Sequence, residues 1–533
     1  MTTNIRVRRS LSDIQKDYDS GNKAELEKLM RAWKGIKELP PDDPNSFFRI
    51  GGFHGEPFRG KGQFDANWWG GYCQHGTVLF PSWHRAYLLK LELALQSIPG
   101  CEDVTLPFWD ECSDESRETG IPKALVRETF ELDGQVIPNP LRSFVLPVAI
   151  VDEVEGDPII YSKPAGYETV RYPLSGLVGT AEDLAATTAH NAQFPDYAKN
   201  AGYLNDNIRT WLSGRINVGG QWLGEVYTSF VSCLDAPNYT LFSNTTSSRA
   251  WNQAHGTRVV PLESPHNYMH LAVGGFDYPG QFDASAIPGA NGDMGENDTA
   301  GLDPIFFFHH CFIDYVFWIW QQRNGAKKTL TIDPDDPGAN SAANPPPAGT
   351  EPNTPLTVST ALEPFKKPGS TELFTTADCI DISGQLGYTY GPGSLDGYAH
   401  PAAGLLAATT GVAKPGETVY VSGINRAKIR GSFLISAYTL VDDKPQYLGT
   451  EAVLSRWHVE GCMNCLKHLE ATAAFRISPA TVQGAARGTA QVTIEVRTRD
   501  GVYGRVERGA TGALQGVVPS GVGDTQPFKI EIR

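Results

Sequence analysis

The sequence predicts a mainly α-helical N-terminal domain with small β insertions, followed by a β-rich, sandwich-like C-terminal domain. Two observations support this prediction. Apolar residues recur at helical intervals in segments such as 11–39 and 303–322, whereas period-two alternation dominates from about residue 411. A chain of 533 residues is also long enough to form two or more domains.

The first helical segments are bounded by ordinary start and stop signals. Residues 11–39 place apolar side chains among charges at helical spacing and predict a helix. Residues 51–71, rich in glycine and aromatic residues, predict a loop. Ser82 can cap a second helix, which Pro99 and Gly100 end.

A third helix is predicted from Asp303 to about residue 322. Asp303 is a suitable N-cap, and Pro304 follows at the first helical position, where a missing N–H costs nothing. Gly325 ends this helix. Between the helical segments, β-rich runs within residues 131–176 predict an inserted hairpin or small sheet.

The C-terminal part of the chain has the character of an antiparallel sandwich. Apolar and polar residues alternate along short segments that turn residues separate. The clearest of these segments are residues 417–421, 432–436, 491–496 and 528–532.

Composition excludes several classes of function. A net charge of −15 argues against nucleic acid and anionic membranes as partners, and no apolar run reaches the length of a membrane span. Arg8 and Arg9 are followed by charged residues and not by an apolar stretch, so we predict no signal peptide and a cytoplasmic protein. Eight cysteines are too few for a disulfide framework. The sequence leaves open a monomer or a homo-oligomer.

Half of the twelve histidines fall into two clusters. Imidazole suits copper, zinc, iron and nickel, and buried imidazoles in apolar surroundings need partners. Two triads without a carboxylate between them indicate two adjacent copper ions and dioxygen chemistry. The clusters are His54, His75 and His84, and then His266, His270 and His309.

Helical spacing supports the second cluster. His266 and His270 are four residues apart, so both project from one helix face with Cβ atoms about 5–6 Å apart. His309 lies on the helix that Asp303 begins and can supply a third ligand. Metal sites in helix bundles are built in this way, from side chains of facing helices.

Three segments carry a family resemblance: residues 75–85, residues 265–270, and the run from Asp303 to His310. They resemble the type-3 copper proteins, namely the tyrosinase, catechol oxidase and haemocyanin superfamily, and are most like fungal-type tyrosinases with a C-terminal lid domain. The resemblance spans about residues 5–390. It implies a four-helix bundle around two copper ions, with O₂ as co-substrate.

The resemblance also implies roles for individual residues. The first copper would be held by His54, His75 and His84, and the second by His266, His270 and His309, with His310 behind the ligands. Cys73 would form a thioether with His75, the alternative being a buried free thiol. Glu263 and Asn267 would hold a water that accepts the phenol proton, unless they are only capping or surface residues. Leu271 would lie at the mouth of the site.

The C-terminal domain resembles a lid over the active site. The segment Leu386-Gly387-Tyr388-Thr389-Tyr390 resembles the motif that closes the catalytic domain, which gives domains of residues 1–395 and 396–533. Cys462 and Cys465 form a CxxC motif that predicts copper handling, with a disulfide or idle thiols as alternatives. Tyr447 or Trp457 would fill the substrate pocket, so that the enzyme is latent.

The function that follows is that of a tyrosinase acting on small phenols. It would ortho-hydroxylate monophenols and oxidise o-diphenols to o-quinones. One alternative is a catechol oxidase or o-aminophenol oxidase without monophenolase activity. Another is a haemocyanin-like O₂ carrier, which would bind oxygen reversibly without turnover.

Overall fold

The computed structural model shows a helical domain followed by a β-rich domain, as the sequence predicts. The structure describes residues 5–55, 71–152, 160–176, 180–213, 216–218, 221–223, 225–255, 259–276, 289–341, 351, 353–400, 418–429, 431–441, 444–457, 459, 465, 468–477, 490–499, 501–508, 514–517 and 529–532.

Most of the helices belong to the first domain. They are α1 (Leu11–Asp19), α2 (Ala24–Glu38), α3 (Phe47–Gly55), α4 (Phe80–Gln96), α5 (Asp114–Thr119), α6 (Lys123–Val126), α7 (Ala181–Asn191), α8 (Tyr197–Ser213), α9 (Glu225–Cys233), α10 (Tyr239–Ser243), α11 (Thr245–His255), α12 (Glu263–Gly274), α13 (Ile305–Arg323) and α14 (Asp396–Ala399).

The strands form short pairs in the first domain and two larger sheets in the second. They are β1 (Arg6–Arg8), β2 (Thr129–Leu132), β3 (Gln135–Pro138), β4 (Ile150–Asp152), β5 (Tyr161–Lys163), β6 (Ile216–Val218), β7 (Gln221–Leu223), β8 (Ala361–Lys366), β9 (Leu373–Thr375), β10 (Tyr388–Tyr390), β11 (Thr418–Asn425), β12 (Phe433–Val441), β13 (Lys444–Val453), β14 (Glu470–Arg476), β15 (Ala490–Thr498), β16 (Gly501–Arg508), β17 (Leu514–Val517) and β18 (Lys529–Ile532).

Helices α3, α4, α12 and α13 pack around one another at the centre of the first domain. Every residue of α12 is buried, and α13 is buried along nearly its whole length. A helix that is buried on all sides belongs to the interior of a large domain, where its polar residues need internal partners. These four helices therefore bring histidines into the core.

Two segments differ from the sequence-based prediction. The single helix expected over residues 11–39 is two helices, α1 and α2, because the chain turns at Gly21 with φ of +101°. The loop expected from residue 51 begins inside helix α3. A Cβ on Gly51 would lie 2.6 Å from the carbonyl oxygen of Gly301, so this glycine permits close packing of helix and backbone and does not mark a loop.

The other helix starts lie close to their predicted positions. Helix α4 begins at Phe80, and Ser82 lies inside its first turn, where its hydroxyl donates to the carbonyl of Leu79. Helix α13 begins at Ile305, directly after Pro304. The Asp303 carboxylate accepts the N–H of Ile305 at 3.1 Å, which is the capping contact that the sequence predicts.

The C-terminal domain is a two-sheet sandwich. One sheet has the order β14-β11-β18 and the other the order β13-β12-β15-β16-β17. Val419 and Val421 from the first sheet and Phe433, Ile435 and Ile494 from the second share one hydrophobic core. The two sheets therefore pack face to face, as the alternating segments predict.

The first domain closes on its own N-terminal strand. Strand β1 pairs in parallel with β10, with Arg8 opposite Tyr390. Just beyond the predicted boundary at residue 395, Asp396 accepts a hydrogen bond from the hydroxyl of Tyr315 at 2.8 Å, and Ala399 is buried in the first-domain core. Helix α14 therefore packs with the first domain. Within the described ranges, no helix combines the length and the hydropathy that a bilayer-spanning segment requires.

Candidate metal centre

Six imidazoles from the four central helices and the segment before α4 lie close together in the core. Ring centroids in the first cluster are 5.1 Å apart for His54 and His75 and 5.3 Å for His75 and His84. In the second cluster, the rings of His266 and His270 lie 4.4 Å apart. The tertiary fold thus joins segments that are separated by about two hundred residues in sequence.

The second cluster has the geometry of three ligands around one ion. The Nε2 atom of His310 lies 3.2 Å from Nε2 of His266 and 3.4 Å from Nε2 of His270. Three nitrogens that each lie about 2.0–2.1 Å from a tetrahedrally coordinated metal would be roughly 3.3 Å apart. The three imidazoles can therefore share a single metal ion without rearrangement.

His310, which the sequence analysis set behind the ligands, is thus directed at the other imidazoles. Its ring also stacks on His84 of the first cluster, with centroids 4.3 Å apart. His309 instead has its Nδ1 atom 2.6 Å from a carboxylate oxygen of the fully buried Glu111. The geometry is the reverse of the expected roles of the two histidines. A ligand nitrogen of His309 also lies within 4.8 Å of those of His266, His270 and His310, but consecutive helix residues point about 100° apart, so the two rings approach the cluster from different sides.

Backbone carbonyls hold three of the imidazoles in one orientation. The Nδ1–H groups of His54, His84 and His270 donate to carbonyl oxygens at 3.3, 2.8 and 2.9 Å. These carbonyls belong to Asn297, Phe80 and Met294. Such contacts fix the tautomer and leave Nε2 as the free electron pair, as in metal-ligating histidines.

The donor set fits copper. Among the described residues, Nε2 of His54 and Nε2 of His84 are buried and have no hydrogen-bond partner. An unpaired buried acceptor is costly, and a metal ion removes that cost. The groups of potential ligands contain only histidines, apart from one that includes Cys73, and imidazole suits both Cu(I) and Cu(II).

Electrostatics keep these imidazoles neutral and therefore able to ligate. Burial lowers the pKa of His54, His266, His270 and His310 well below its usual value, and neighbouring imidazoles lower it further. Burial lowers the pKa of His84 to about 3. Protons thus do not compete with a metal at neutral pH.

Cys73 lies beside the first cluster. Its thiol is buried, and its sulfur lies within 4.8 Å of one ligand nitrogen each of His54 and His75. The side-chain amide of Asn297 donates toward this sulfur at 3.7 Å. Burial raises the pKa of the Cys73 thiol. The thioether to His75 stays a prediction.

Glu263 and Asn267 line a cavity of about 270 Å³ that reaches His75. Glu263 accepts the N–H groups of Gly76 and Thr245, both at 2.8 Å. Asn267 accepts the Nδ1–H of His266 through its side-chain oxygen at 2.9 Å. Both residues are thus held rigidly at the mouth of the metal centre.

Leu271 does not lie at this mouth. It is fully buried in the hydrophobic core and does not line the cavity. Leu271 follows Asn267 by about one helical turn, so it lies on the same side of helix α12 but within the core. Its role as a substrate gate stays a prediction.

The C-terminal domain covers the cavity. We call its cavity-lining residues the roof. They are Arg426, Val453, Leu454, Cys465, His468, Glu470 and Thr472.

The two residues expected to fill the pocket are not in the roof. Tyr447 packs against Tyr438, with ring centroids 5.8 Å apart, and Trp457 packs against Tyr161 of the first domain at 6.0 Å. Neither lines the cavity. An aromatic plug at these positions stays a prediction.

One buried cluster joins the roof to the metal centre. Arg456 donates to the carbonyl of Gly55 at 2.8 Å and pairs with Asp298 at 2.9 Å. The backbone N–H of Trp457 donates to Asp298 at 2.8 Å, and that of Asn297 to Ser455 at 3.1 Å. Because the Asn297 carbonyl also orients His54, the C-terminal domain contacts the immediate support of the first cluster.

Cys465 is disulfide-bonded, and Cys462 lies outside the described residues. A disulfide was the alternative to the copper-handling role of the CxxC motif. An oxidised pair offers no thiolate to Cu(I).

Sequence reasoning missed several residues of this site. Glu111, Asn297 and His468 all contact a histidine or line the cavity. Glu111 lies within the buried run of residues 106–112, and a buried acid is a usable signal for function. Asn297 acts through its backbone, which the sequence cannot reveal. His468 follows Cys465 by three residues and could have been grouped with it.

Comparison with known proteins agrees with this geometry. The tyrosinase family model, described as the common central domain of tyrosinase, matches residues 44–323. The tyrosinase HcTyr2 of Hahella sp. is 51% identical over 93% of this chain and 92% of its own length. A tyrosinase of Aspergillus oryzae is 42% identical over 95% of each chain.

Solved structures show the same fold. The tyrosinase from Burkholderia thailandensis at low pH superposes with a TM-score of 0.79 at 50% identity, covering 93% of this chain and 96% of that chain. The recombinant mushroom tyrosinase superposes with a TM-score of 0.60 at 18% identity, covering 99% and 97%. The second likeness supports the fold alone.

Proposed function

Because the chain belongs to the tyrosinase family of dicopper oxidases, we propose that it ortho-hydroxylates monophenols and oxidises o-diphenols to o-quinones with O₂. One observation carries the proposal. The Nε2 atom of His310 lies 3.2 Å from Nε2 of His266 and 3.4 Å from Nε2 of His270, and these three imidazoles face a second imidazole cluster. Small phenols are the proposed substrates.

We assign His54, His75 and His84 to one copper, and His266, His270 and His310 to the other. Bound copper would supply the redox chemistry that divides the reduction of O₂ between two metal ions. His309 would stand behind the second site and buttress it through Glu111.

The protein's own contribution to monophenol chemistry is proton transfer at the cavity mouth. A phenol has a pKa near 10 and must lose its proton to react. Glu263 and Asn267 would hold a water at the mouth, and burial raises the pKa of Glu263, which makes its carboxylate a stronger base than usual. The hydrogen bonds from Gly76 and Thr245 keep this carboxylate in place.

We further propose that the enzyme is latent. The roof closes the cavity, and the Arg456 cluster fastens it. We place the domain boundary after helix α14, slightly later than residue 395, because this helix packs with the first domain. Limited proteolysis, mild acid or detergent should raise activity. A chain cut near residue 400 that folds but is no more active than the whole would contradict latency.

The proposed test is an oxidation assay on the copper-loaded full chain. The substrates are 4-methylphenol and 4-methylcatechol, which differ by one hydroxyl group, and both quinone formation and O₂ consumption are followed. Oxidation of both supports the proposal. Oxidation of the catechol alone, after full copper loading and activation, would indicate a catechol oxidase or o-aminophenol oxidase. Reversible oxygenation without turnover would indicate an O₂ carrier.

The thioether between Cys73 and His75 is tested by mass spectrometry. A peptide that contains both residues should lose two hydrogen atoms on copper loading in air. The same peptide from a Cys73→Ala variant is the control. An unchanged mass in the active wild-type protein would contradict the crosslink.

A further inference from the structure

A cationic side chain stands at the mouth of the cavity, away from the dicopper ligands. Arg249 lies on helix α11, and Thr246 and Gln253 lie on the same helix face at spacings of three and four residues. All three line the cavity that contains Glu263 and Asn267. The first domain therefore presents a guanidinium where a substrate must pass.

The partner of this guanidinium comes from the other domain. Arg249 donates to a carboxylate oxygen of Glu451 at 3.0 Å, and Glu451 lies on strand β13 of the C-terminal domain. The two side chains are 25% and 18% exposed, so water screens the pair only in part. When the C-terminal domain moves away, Arg249 loses this carboxylate.

The acidic residue that the first domain contributes to the cavity is already engaged. Glu263 accepts the N–H of Gly76 with one oxygen and the N–H and hydroxyl of Thr245 with the other. Donors of its own domain thus occupy three of about four acceptor sites on this carboxylate, which leaves one for the proposed water. Glu451 is the carboxylate that Arg249 holds in the described structure.

We propose that Arg249 determines specificity by binding the carboxylate of a phenolic acid, and that Glu451, which lines a neighbouring pocket shared with Arg249, engages the same guanidinium while the C-terminal domain is closed. The inference rests on the proposed function. With the phenol ring at the imidazoles, a carboxylate on a short chain para to the reacting hydroxyl would extend toward the mouth. Guanidinium binds a carboxylate through two parallel hydrogen bonds, so the recognition has a defined geometry.

Two arginines and two glutamates line the cavity, and the carboxylates of Glu263 and Glu470 each already accept a backbone N–H, so the guanidiniums remain to attract an anion. Arg426 of the roof lines the cavity too, and burial and the nearby Arg249 together lower its pKa to about 10. Two neighbouring guanidiniums repel each other, and an anion placed between them relieves that repulsion. An amine on the same aromatic ring would meet this repulsion directly.

The test compares three catechols that share one reacting ring and differ in charge. They are 3-(3,4-dihydroxyphenyl)propanoate, 4-methylcatechol and dopamine. The copper-loaded full chain is assayed as wild type and as Arg249→Gln, Arg249→Lys and Glu451→Gln. Arg209→Gln is the matched control, because Arg209 is a partly exposed helical arginine paired with Asp206 and does not line the cavity.

In Arg249→Gln, kcat/KM for the acid should fall about tenfold relative to the neutral catechol, mainly through KM, since one charge-assisted hydrogen-bond pair is lost. The value of kcat/KM for dopamine should rise relative to that for the neutral catechol. Arg249→Lys should retain part of the preference. In Glu451→Gln, kcat/KM for the acid should rise relative to kcat/KM for the neutral catechol, because the competing carboxylate is gone. Arg209→Gln should leave all ratios as in the wild type.

Two results would overturn the inference. An equal fall for all three catechols in Arg249→Gln means a structural role, and unchanged ratios in both Arg249→Gln and Glu451→Gln mean no contact with substrate. Turnover of 4-methylcatechol by the wild type reports separately on the proposed function. If that turnover is absent, calorimetric binding of 3-phenylpropanoate against 3-phenylpropanamide still measures the charge preference and decides it.

Discussion

The floor and the roof of the cavity are built in opposite ways. The floor consists of buried helices whose imidazoles are fixed by backbone carbonyls, as His84 is by Phe80 and His270 by Met294. The roof is attached by mixed contacts: Leu454 and Ala452 pack into the first-domain core, Arg456 pairs with Asp298, and Arg249 pairs with Glu451. A floor of this kind keeps its shape when the roof leaves. Ion pairs, in contrast, can be exchanged for water or substrate, so the roof is suited to being displaced.

The largest expected effect breaks the floor. His310→Ala removes the imidazole whose Nε2 lies 3.2 Å from His266, so one copper ion per chain should be lost and oxidation should fall by about a thousandfold or more. His309→Ala should keep both copper ions, and its oxidation rate should fall by about 10- to 100-fold, as expected for a residue that supports a ligand. Metal analysis and catechol oxidation check both. The opposite ranking would restore His309 as the ligand.

The second prediction breaks the roof. Arg456→Met leaves Asp298 buried without its cation, and removing one partner of a buried pair costs about 3–5 kcal/mol. The substitution destabilises the closed arrangement of the two domains relative to the open one. The activity of the untreated full chain should therefore rise by up to about a hundredfold. The rise is measured as the rate of catechol oxidation by variant and wild type before and after detergent activation. Equal activation ratios in variant and wild type would contradict the fastening role of Arg456.

A third change tests the support of the floor. Glu111→Gln keeps the shape beside His309 but removes the carboxylate that lies 2.6 Å from its Nδ1. Copper affinity or activity should fall by about 10- to 100-fold. Copper titration against a chelator gives the affinity. Glu115→Gln, an exposed helix position, is the control and should leave both unchanged.

The fourth prediction concerns pH. Burial raises the pKa of Glu296 to about 8, first by desolvation and then through Asp298, and its carboxyl lies against Gly431 of the C-terminal domain. The folded form binds the proton more tightly than the unfolded form. The contribution to stability is therefore present at low pH and lost as pH rises toward 8.

Glu296→Gln should make the free energy of unfolding less dependent on pH. Between pH 5.5 and 8.5, the free energy of unfolding of the wild type should decrease by about 2 kcal/mol more than that of the variant. Urea unfolding at the two pH values measures the difference. Parallel curves for the two proteins would contradict a buried, protonated Glu296.

The smallest effect is expected at the edge of the interface between the domains. Arg499 pairs with Asp183 at 2.6 Å, with side chains 13% and 17% exposed. Arg499→Gln should change the activity of the untreated chain by no more than about threefold, since a peripheral ion pair contributes about 0.2–1 kcal/mol. A change as large as that of Arg456→Met would mean that fastening is spread along the whole interface.

Residues that act through local spacing were predictable. The i, i+4 pair His266 and His270 and the cap at Asp303 both follow from short-range geometry, and the structure has both. A prediction that needed long-range packing failed. Gly51 indicated a loop, although it permits a close contact between its helix and the backbone of Gly301.

The sequence by itself determined the order of the two domains, the identity of the metal-ligating residue type and the family, because periodicity and motif spacing are local properties of the chain. Only the tertiary structure decided that Nε2 of His310 lies within 3.4 Å of Nε2 of His266 and His270, and that Arg249 meets Glu451 across the two domains. The reason is physical. The direction of a side chain on a buried helix, and the partner it meets across two domains, depend on how distant segments pack, and no single segment encodes that packing.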